Sequence, residues 1–188
     1  QGPVVQQNVR SFLKRTDRFF DIIELSLTDT LGALSSGLYA LSEDYTFTVD
    51  AFQSYLRVLK EGGVLSITRY LLPPPRYEIR LVGLALEALE EMGIPSSERH
   101  ILAIRSWGTF TLLVKKSAFS VKDIYQIKDF CHRLRFDLVY YPGMKRDEAN
   151  IFNRFSRPLY YDLIKMIIDR EKRDEFYRNY LFAVNPVR

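Results

Sequence analysis

Phe20-Asp21-Ile22-Ile23-Glu24-Leu25-Ser26-Leu27-Thr28-Asp29-Thr30 is the stretch on which the reading of this chain turns. A short apolar run that ends on hydroxyl and acidic side chains reads as a buried strand. Its carboxyl end opens into a loop, where polar groups can meet a ligand. Further on, Lys60-Glu61-Gly62-Gly63-Val64-Leu65-Ser66-Ile67-Thr68 repeats the pattern after a helical stretch. A helix, a double-glycine stop and a second apolar run complete a strand, helix, strand unit, whose two strands lie parallel in one sheet. The expected fold class is therefore α/β.

Composition narrows the function classes. The chain has 188 residues, 47% of them hydrophobic, enough to bury a full core. Its formal charge of +4 is spread along the sequence rather than gathered into a basic tract, which argues against a nucleic-acid partner. Cys131 is the single cysteine, so no intramolecular disulfide forms, and a reducing, cytoplasmic setting is expected. His100 and His132 have no ligand-spaced neighbours, so no metal is expected. No apolar run approaches the roughly 20 residues of a membrane-crossing helix, so no membrane contact is expected from this segment. The sequence opens on Gln1 rather than methionine, and membership of a longer chain is expected.

Around the two strands the remaining elements fall into place. Asn8 to Lys14 reads as a short helix with Phe12 and Leu13 turned inward. The stretch from Thr30 to Phe47 is long for a plain crossover and reads as a binding loop or lid. Thr48 caps a helix on which Phe52, Tyr55, Leu56 and Leu59 share one face. Arg69 and Tyr70 follow the second strand, before Pro73-Pro74-Pro75, and are candidates to line the same mouth. Glu78 to Met92 is a helix stopped by Gly93.

The rest of the chain continues the alternation and then leaves it. His100 to Arg105 and Thr109 to Lys115 form an antiparallel hairpin through Ser106-Trp107-Gly108, placed to close one edge of the sheet. Ser120-Val121-Lys122-Asp123 is a capping box opening a helix toward Arg135, and Phe136 to Tyr141 is a last strand. Beyond Gly143 the pattern becomes helical, with amphipathic helices expected over Asp147 to Phe155, Leu159 to Ile168 and Arg173 to Tyr180. The expected division is a partial α/β domain over 1–143 and a helical appendage over 144–188.

Three segments taken together, Phe20-Asp21-Ile22-Ile23, Leu27-Thr28-Asp29-Thr30 and Leu56-Arg57-Val58-Leu59-Lys60-Glu61-Gly62-Gly63-Val64-Leu65, resemble the second half of the spermidine and spermine synthase family. The resemblance covers roughly Asn8 to Lys116. It implies a three-layer, Rossmann-like class I methyltransferase fold with an antiparallel end to its sheet. The family's glycine-rich donor-binding turn has no counterpart in this sequence, so the resemblance is to the carboxyl-terminal half alone.

What the resemblance implies for the site is specific. Asn8 matches the family position that contacts the base of the donor, S-adenosylmethionine or its decarboxylated form. Asp29 matches the aspartate that binds the amine substrate and is the expected catalytic and substrate-binding residue. Ser26 stands where the family has its other aspartate, whose carboxylate takes the amine's proton. A neutral hydroxyl does neither task as a carboxylate does. Glu24, two residues earlier on the same strand face, is a nearby carboxylate that reads more readily as paired with a Lys or Arg than as catalytic. Trp107 sits near the position of a family tyrosine and is a further substrate-side candidate.

The implied activity is transfer of an aminopropyl or methyl group to a small amine or similar acceptor, by a chain inactive as this segment alone. The other reading, from a different class, is a non-catalytic module of the same ancestry that serves in oligomerisation. A homo-oligomer is among the expected assemblies.

Overall fold

The computed structural model describes residues 9–27, 46–71 and 73–188. A short helix, α1 (Val9–Arg15), buries Leu13 and leads into β1 (Phe20–Ser26). β1 pairs in parallel with β2 (Leu59–Tyr70), Ser26 lying opposite Thr68. This is the side-by-side arrangement that the two apolar runs predict. On the far side of β2 come β3 (Ile101–Arg105) and β4 (Thr109–Lys115), the two strands of the antiparallel hairpin, and β5 (Asp137–Tyr140). The order across the sheet is β1-β2-β4-β3-β5. The hairpin is therefore interior, and β5, antiparallel to β3, forms that edge instead. A five-stranded mixed sheet with six α-helices among the described residues makes the fold α/β.

α2 (Val49–Arg57) joins this framework through the expected cap, the Thr48 hydroxyl accepting from the Ala51 amide at 3.2 Å. Phe52, Tyr55, Leu56 and, just past the helix, Leu59 are fully buried. Each such side chain contributes about 1.5–3 kcal/mol through its removal from water.

The double glycine does not stop this helix. α2 ends at Arg57, and Gly62 and Gly63 lie inside β2, where the register with β1 shifts between Phe20 and Ile22. A Cβ on Gly63 would stand 2.8 Å from the Phe20 carbonyl oxygen, so glycine here lets two backbones approach closely.

The two sheet faces are covered differently. Leu65, Ile67, Leu112, Val114, Ile101 and Ala103 face the main core, with α2 and α3 (Tyr77–Glu91) packed over them. Side-chain alternation turns Leu102 and Leu113 the other way, into a smaller cluster with Phe119, Tyr141 and Met144 under α4 (Val121–Leu134). That second cover does not extend to β1. Ile22 is 66% exposed, Glu24 and Ser26 are exposed, and Leu25 is the one fully buried side chain of the strand. A buried β1 was expected; as a sheet-edge strand covered on one face, it buries one face.

After Gly143 the chain contributes Tyr160, Ile164 and Ile167 from α5 (Leu159–Ile168) and Phe176 from α6 (Arg170–Asn179) to the same main core. α6 comes so close to α3 that a Cβ on Gly83 would meet the Tyr177 hydroxyl oxygen at 2.6 Å. The helix expected over Asp147 to Phe155 is absent, reduced to a single 3-10 turn at Arg146–Glu148. The amides of Ile151, Phe152 and Asn153 donate instead to the Asp137 carboxylate at 2.6, 2.8 and 2.7 Å. Amides spent on a carboxylate cannot close helical turns.

Candidate functional site at the carboxyl ends of the parallel strands

Parallel pairing brings the carboxyl ends of β1 and β2 to the same level. β4, antiparallel to β2, places its amino end there too, so Ser26, Thr68 and Thr111 form one row across three strands. All three lie on the face that α4 leaves open beside β1. The Thr68 and Thr111 hydroxyls are 2.9 Å apart, and the Ser26 hydroxyl donates to Glu24 Oε1 at 2.5 Å. Glu24 is one pleat lower on the same face, opposite Ser66.

Beyond Ser26 the strand ends abruptly. The Leu27 amide donates to the Thr68 carbonyl at 2.9 Å, a last rung, and Leu27 itself takes a left-handed φ of 46°. That conformation costs a branched residue on the order of 1–2 kcal/mol, a strain of the kind concentrated at working loops. It ends the extended backbone directly after Ser26. Asp29, the residue expected to bind the amine, Thr28, and Asn8, expected at the donor, lie outside the described residues.

Arg69 does not line this mouth. It is one residue past Thr68 and so faces the opposite way, 6% exposed, with its guanidinium 4.5 Å from the Phe47 ring centroid and 5.4 Å from that of Tyr77. Cation–π contacts of this sort hold the start of α2 and the start of α3 against the end of β2. Tyr70, back on the open face, is half-buried.

Trp107 lies at the tip of the β3–β4 hairpin, at the same end of the sheet. The turn is built by the Ser106 hydroxyl, which accepts from the amides of Gly108 and Thr109 at 3.2 and 3.0 Å, and is tied to β2 by the Leu71 amide donating to the Gly108 carbonyl at 2.9 Å. The indole is 71% exposed, and its strand stands two strand spacings, about 10 Å, from β1. The structure thus brings Trp107 to the rim and Ser26 to the floor without contact between them.

The remaining candidates resolve simply. His100 is buried with Nδ1 3.2 Å from the Lys115 carbonyl oxygen, and His132 meets the Phe152 ring edge-on. Cys131 is a core residue whose thiol is pushed up to about 12 by burial. Among the described residues no group of three His, Cys, Asp or Glu side chains could hold a metal ion, and no helix is long and apolar enough to cross a membrane.

A second concavity was not anticipated. At the β5 edge, α4 and the segment 148–152 enclose about 620 Å³ between Ile124, Tyr125, His132, Phe136 and Phe152. Its polar end is satisfied internally: Lys128 donates to Glu148 at 2.5 Å and to the Tyr141 hydroxyl at 3.1 Å, and Tyr141 donates to Glu148 as well. The signal in the sequence was the apolar residues outside the Ile124, Ile127, Cys131 stripe of α4, where Val121 and Tyr125 are 86% and 72% exposed.

Chemically, the described residues at the mouth offer the Glu24 carboxylate and the hydroxyls of Ser26, Ser66, Thr68 and Thr111, a set suited to holding a protonated or hydrogen-bonding group. They do not offer an activated nucleophile, because the Ser26 hydroxyl donates a hydrogen bond to a carboxylate and has no imidazole or amine base beside it among the described residues. No family model matches the chain, and no curated protein matches it.

Proposed function

We propose that this chain carries the acceptor side of a spermidine synthase-like transferase, with a partial Rossmann-like methyltransferase fold. The transferase would move an aminopropyl or methyl group from an S-adenosylmethionine-type donor to a small amine. The observation that carries this reading is the level parallel pairing of β1 and β2, Ser26 opposite Thr68, beside an antiparallel hairpin. It brings a polar strand end and the strained residue Leu27 to the end of the sheet where β1 and β2 both finish. A ligand crevice outside the carboxyl ends of strands is the usual place for chemistry in open α/β sheets. In group transfer of this kind the protein mainly positions the partners and stabilises the approaching acceptor.

The donor's seat is a separate matter. Asn8 is the residue proposed to contact it, and the described residues offer no glycine-rich turn of the kind that cradles a nucleoside, so they do not by themselves fit the donor. The test is calorimetric titration of the protein from its complete reading frame with S-adenosylmethionine and with the decarboxylated form. Heat with one of them is expected, and Asp29→Ala should then abolish transfer while sparing donor affinity. An undiminished rate in that variant would remove Asp29 from the site.

The non-catalytic reading draws on a different observation. Phe19, just before the sheet-edge strand β1, and Ile22, within it, are 62% and 66% exposed. Apolar side chains at a free strand edge suit contact with another subunit or domain. Absence of heat with both donors, together with self-association that Ile22→Lys disrupts, would favour it.

A further inference from the structure

The carboxylate of Glu24 has an unusual setting for an exposed acid on a strand. Both side chains of the pair are exposed, yet Ser26 Oγ is drawn to 2.5 Å from Oε1, a short charge-assisted contact. Among the described residues no lysine or arginine pairs with Glu24, although Asp21, on the other face of the same strand, is held by Lys60 at 2.8 Å. Among the described residues the ion pair that Glu24 was expected to make is not formed, and its side chain lies on the exposed face of the strand.

Its neighbours on that face are hydroxyls. Ser66 is directly opposite Glu24, Thr68 opposite Ser26, and Thr111 beyond Thr68. One full negative charge with hydroxyl oxygens on two adjoining strands presents acceptor lone pairs to a group that brings only N–H donors and a positive charge. A primary ammonium, with three donors and no acceptor, has that chemistry. An anion would meet the carboxylate's repulsion, and an apolar group would leave it desolvated without a partner.

We propose that Glu24 is the anionic contact for the amine acceptor, held at its carboxylate with the Ser26 hydroxyl as the second contact and with Thr68 and Thr111 along the path of the bound chain. This rests on the transferase reading above and supplies the negative charge that the serine at position 26 does not. The same pair accounts for the proton. The ammonium gives a proton to Ser26 Oγ as Ser26 passes its own to Glu24, leaving a neutral amine with its lone pair free and a neutral carboxylic acid. Ser26 touches the acceptor; Glu24 both holds the cation and receives the proton.

The experiment is an NMR and calorimetric titration of the complete protein with 1,4-diaminobutane, in the absence of donor, with 1,4-butanediol as the uncharged control. The parent protein should bind the diamine and ignore the diol, with the Glu24 side-chain carboxyl signal shifting on binding. Glu24→Gln should weaken diamine affinity by about ten- to hundredfold, as expected for loss of a hydrogen bond to a charged group. Glu24→Asp should restore most of it, and Ser26→Ala should weaken binding less than Glu24→Gln does. Both side chains are exposed, so these variants should keep the parent's melting temperature within a few degrees.

Equal diamine affinity in Glu24→Gln and the parent would overturn the proposal. So would diamine binding that Asp29→Ala abolishes while Glu24→Gln leaves it intact, and that result would preserve the transferase reading. Absence of diamine binding in the parent also overturns it, and the donor titration then decides separately whether the transferase reading stands.

Discussion

Asp137 and Arg105 face each other across β5 and β3 at 3.3 Å, with side chains 0% and 3% exposed. Burial lowers the pKa of the Arg105 guanidinium, and the Asp137 carboxylate opposes that shift. The carboxylate also takes the amides of Ile151, Phe152 and Asn153, and Arg105 Nη2 donates to Asn150 Oδ1 at 2.9 Å and to the Asn153 carbonyl. Asp137→Ala would strand a buried cation and three amides together. The expected loss is about 3–5 kcal/mol, the cost of breaking a buried ion pair from one side. Urea unfolding measures it, and a loss below about 1 kcal/mol would mean that water reaches Arg105.

The glycine pair in β2 makes a paired prediction. Gly63→Ala puts a methyl 2.8 Å from the Phe20 carbonyl oxygen and 3.2 Å from that of Asp21, so β1 and β2 must separate there. A loss of about 1–3 kcal/mol is expected from overpacking. Gly62→Ala meets nothing within 4 Å and should stay within about 0.5 kcal/mol of the parent. Equal effects in the two variants would refute the close approach at Gly63.

Acid should weaken the wall of the β5-edge cavity. Burial pushes the Glu148 carboxyl up, but hydrogen bonds from Lys128, from the Tyr141 hydroxyl and from the Lys145 amide outweigh it and hold the group at about 2. A carboxylate depressed in the folded state stabilises above its unfolded value near 4.5, and that contribution disappears as pH falls through about 2. Glu148→Gln should cost about 1–2 kcal/mol at pH 7, discounted because Lys128 is half-exposed, with the gap to the parent closing between about pH 5 and 2. A gap that is flat across that range would exclude the ion pair as its source.

Cys131 should be silent toward thiol reagents. With its thiol pushed up to about 12 by burial, the folded chain holds on the order of a thousandfold less thiolate at pH 8 than an unfolded one. Labelling should therefore follow global unfolding in a denaturant series. Rapid labelling of native protein would show that α4 lifts from the sheet.

Much of the framework was legible because its signals are local. The Thr48 cap, the Ser120 to Asp123 capping box and the face of Phe52, Tyr55 and Leu56 depend on neighbours within a turn or two, and the structure keeps all three. The parallel relation of β1 and β2 was legible from the spacing of the apolar runs. What misled was non-local. Gly62 and Gly63 resemble a helix stop until Phe20 is placed beside them, and 147–155 carries helical spacing until Asp137 claims its amides. Asn150, at a φ of 61°, was the local hint of a turn there. Ser26 and Trp107 do lie at one end of the sheet, but the sequence could not reveal that Glu24, expected to pair with a Lys or Arg, would meet a hydroxyl and no cation among the described residues.

Glycine in mid-helix is about 1 kcal/mol worse than alanine, and Gly83 sits in the middle of α3. The bare turn it leaves acts as a keyway for the tip of Tyr177, so the intrinsic helicity of α3 is traded for the seating of α6. Two segments far apart in the chain are thereby fused into one cooperative block: fraying of the tail unplugs the weakest turn of a central helix, and loosening of that helix releases the tail. Amide exchange in the two should rise together, at one shared opening free energy.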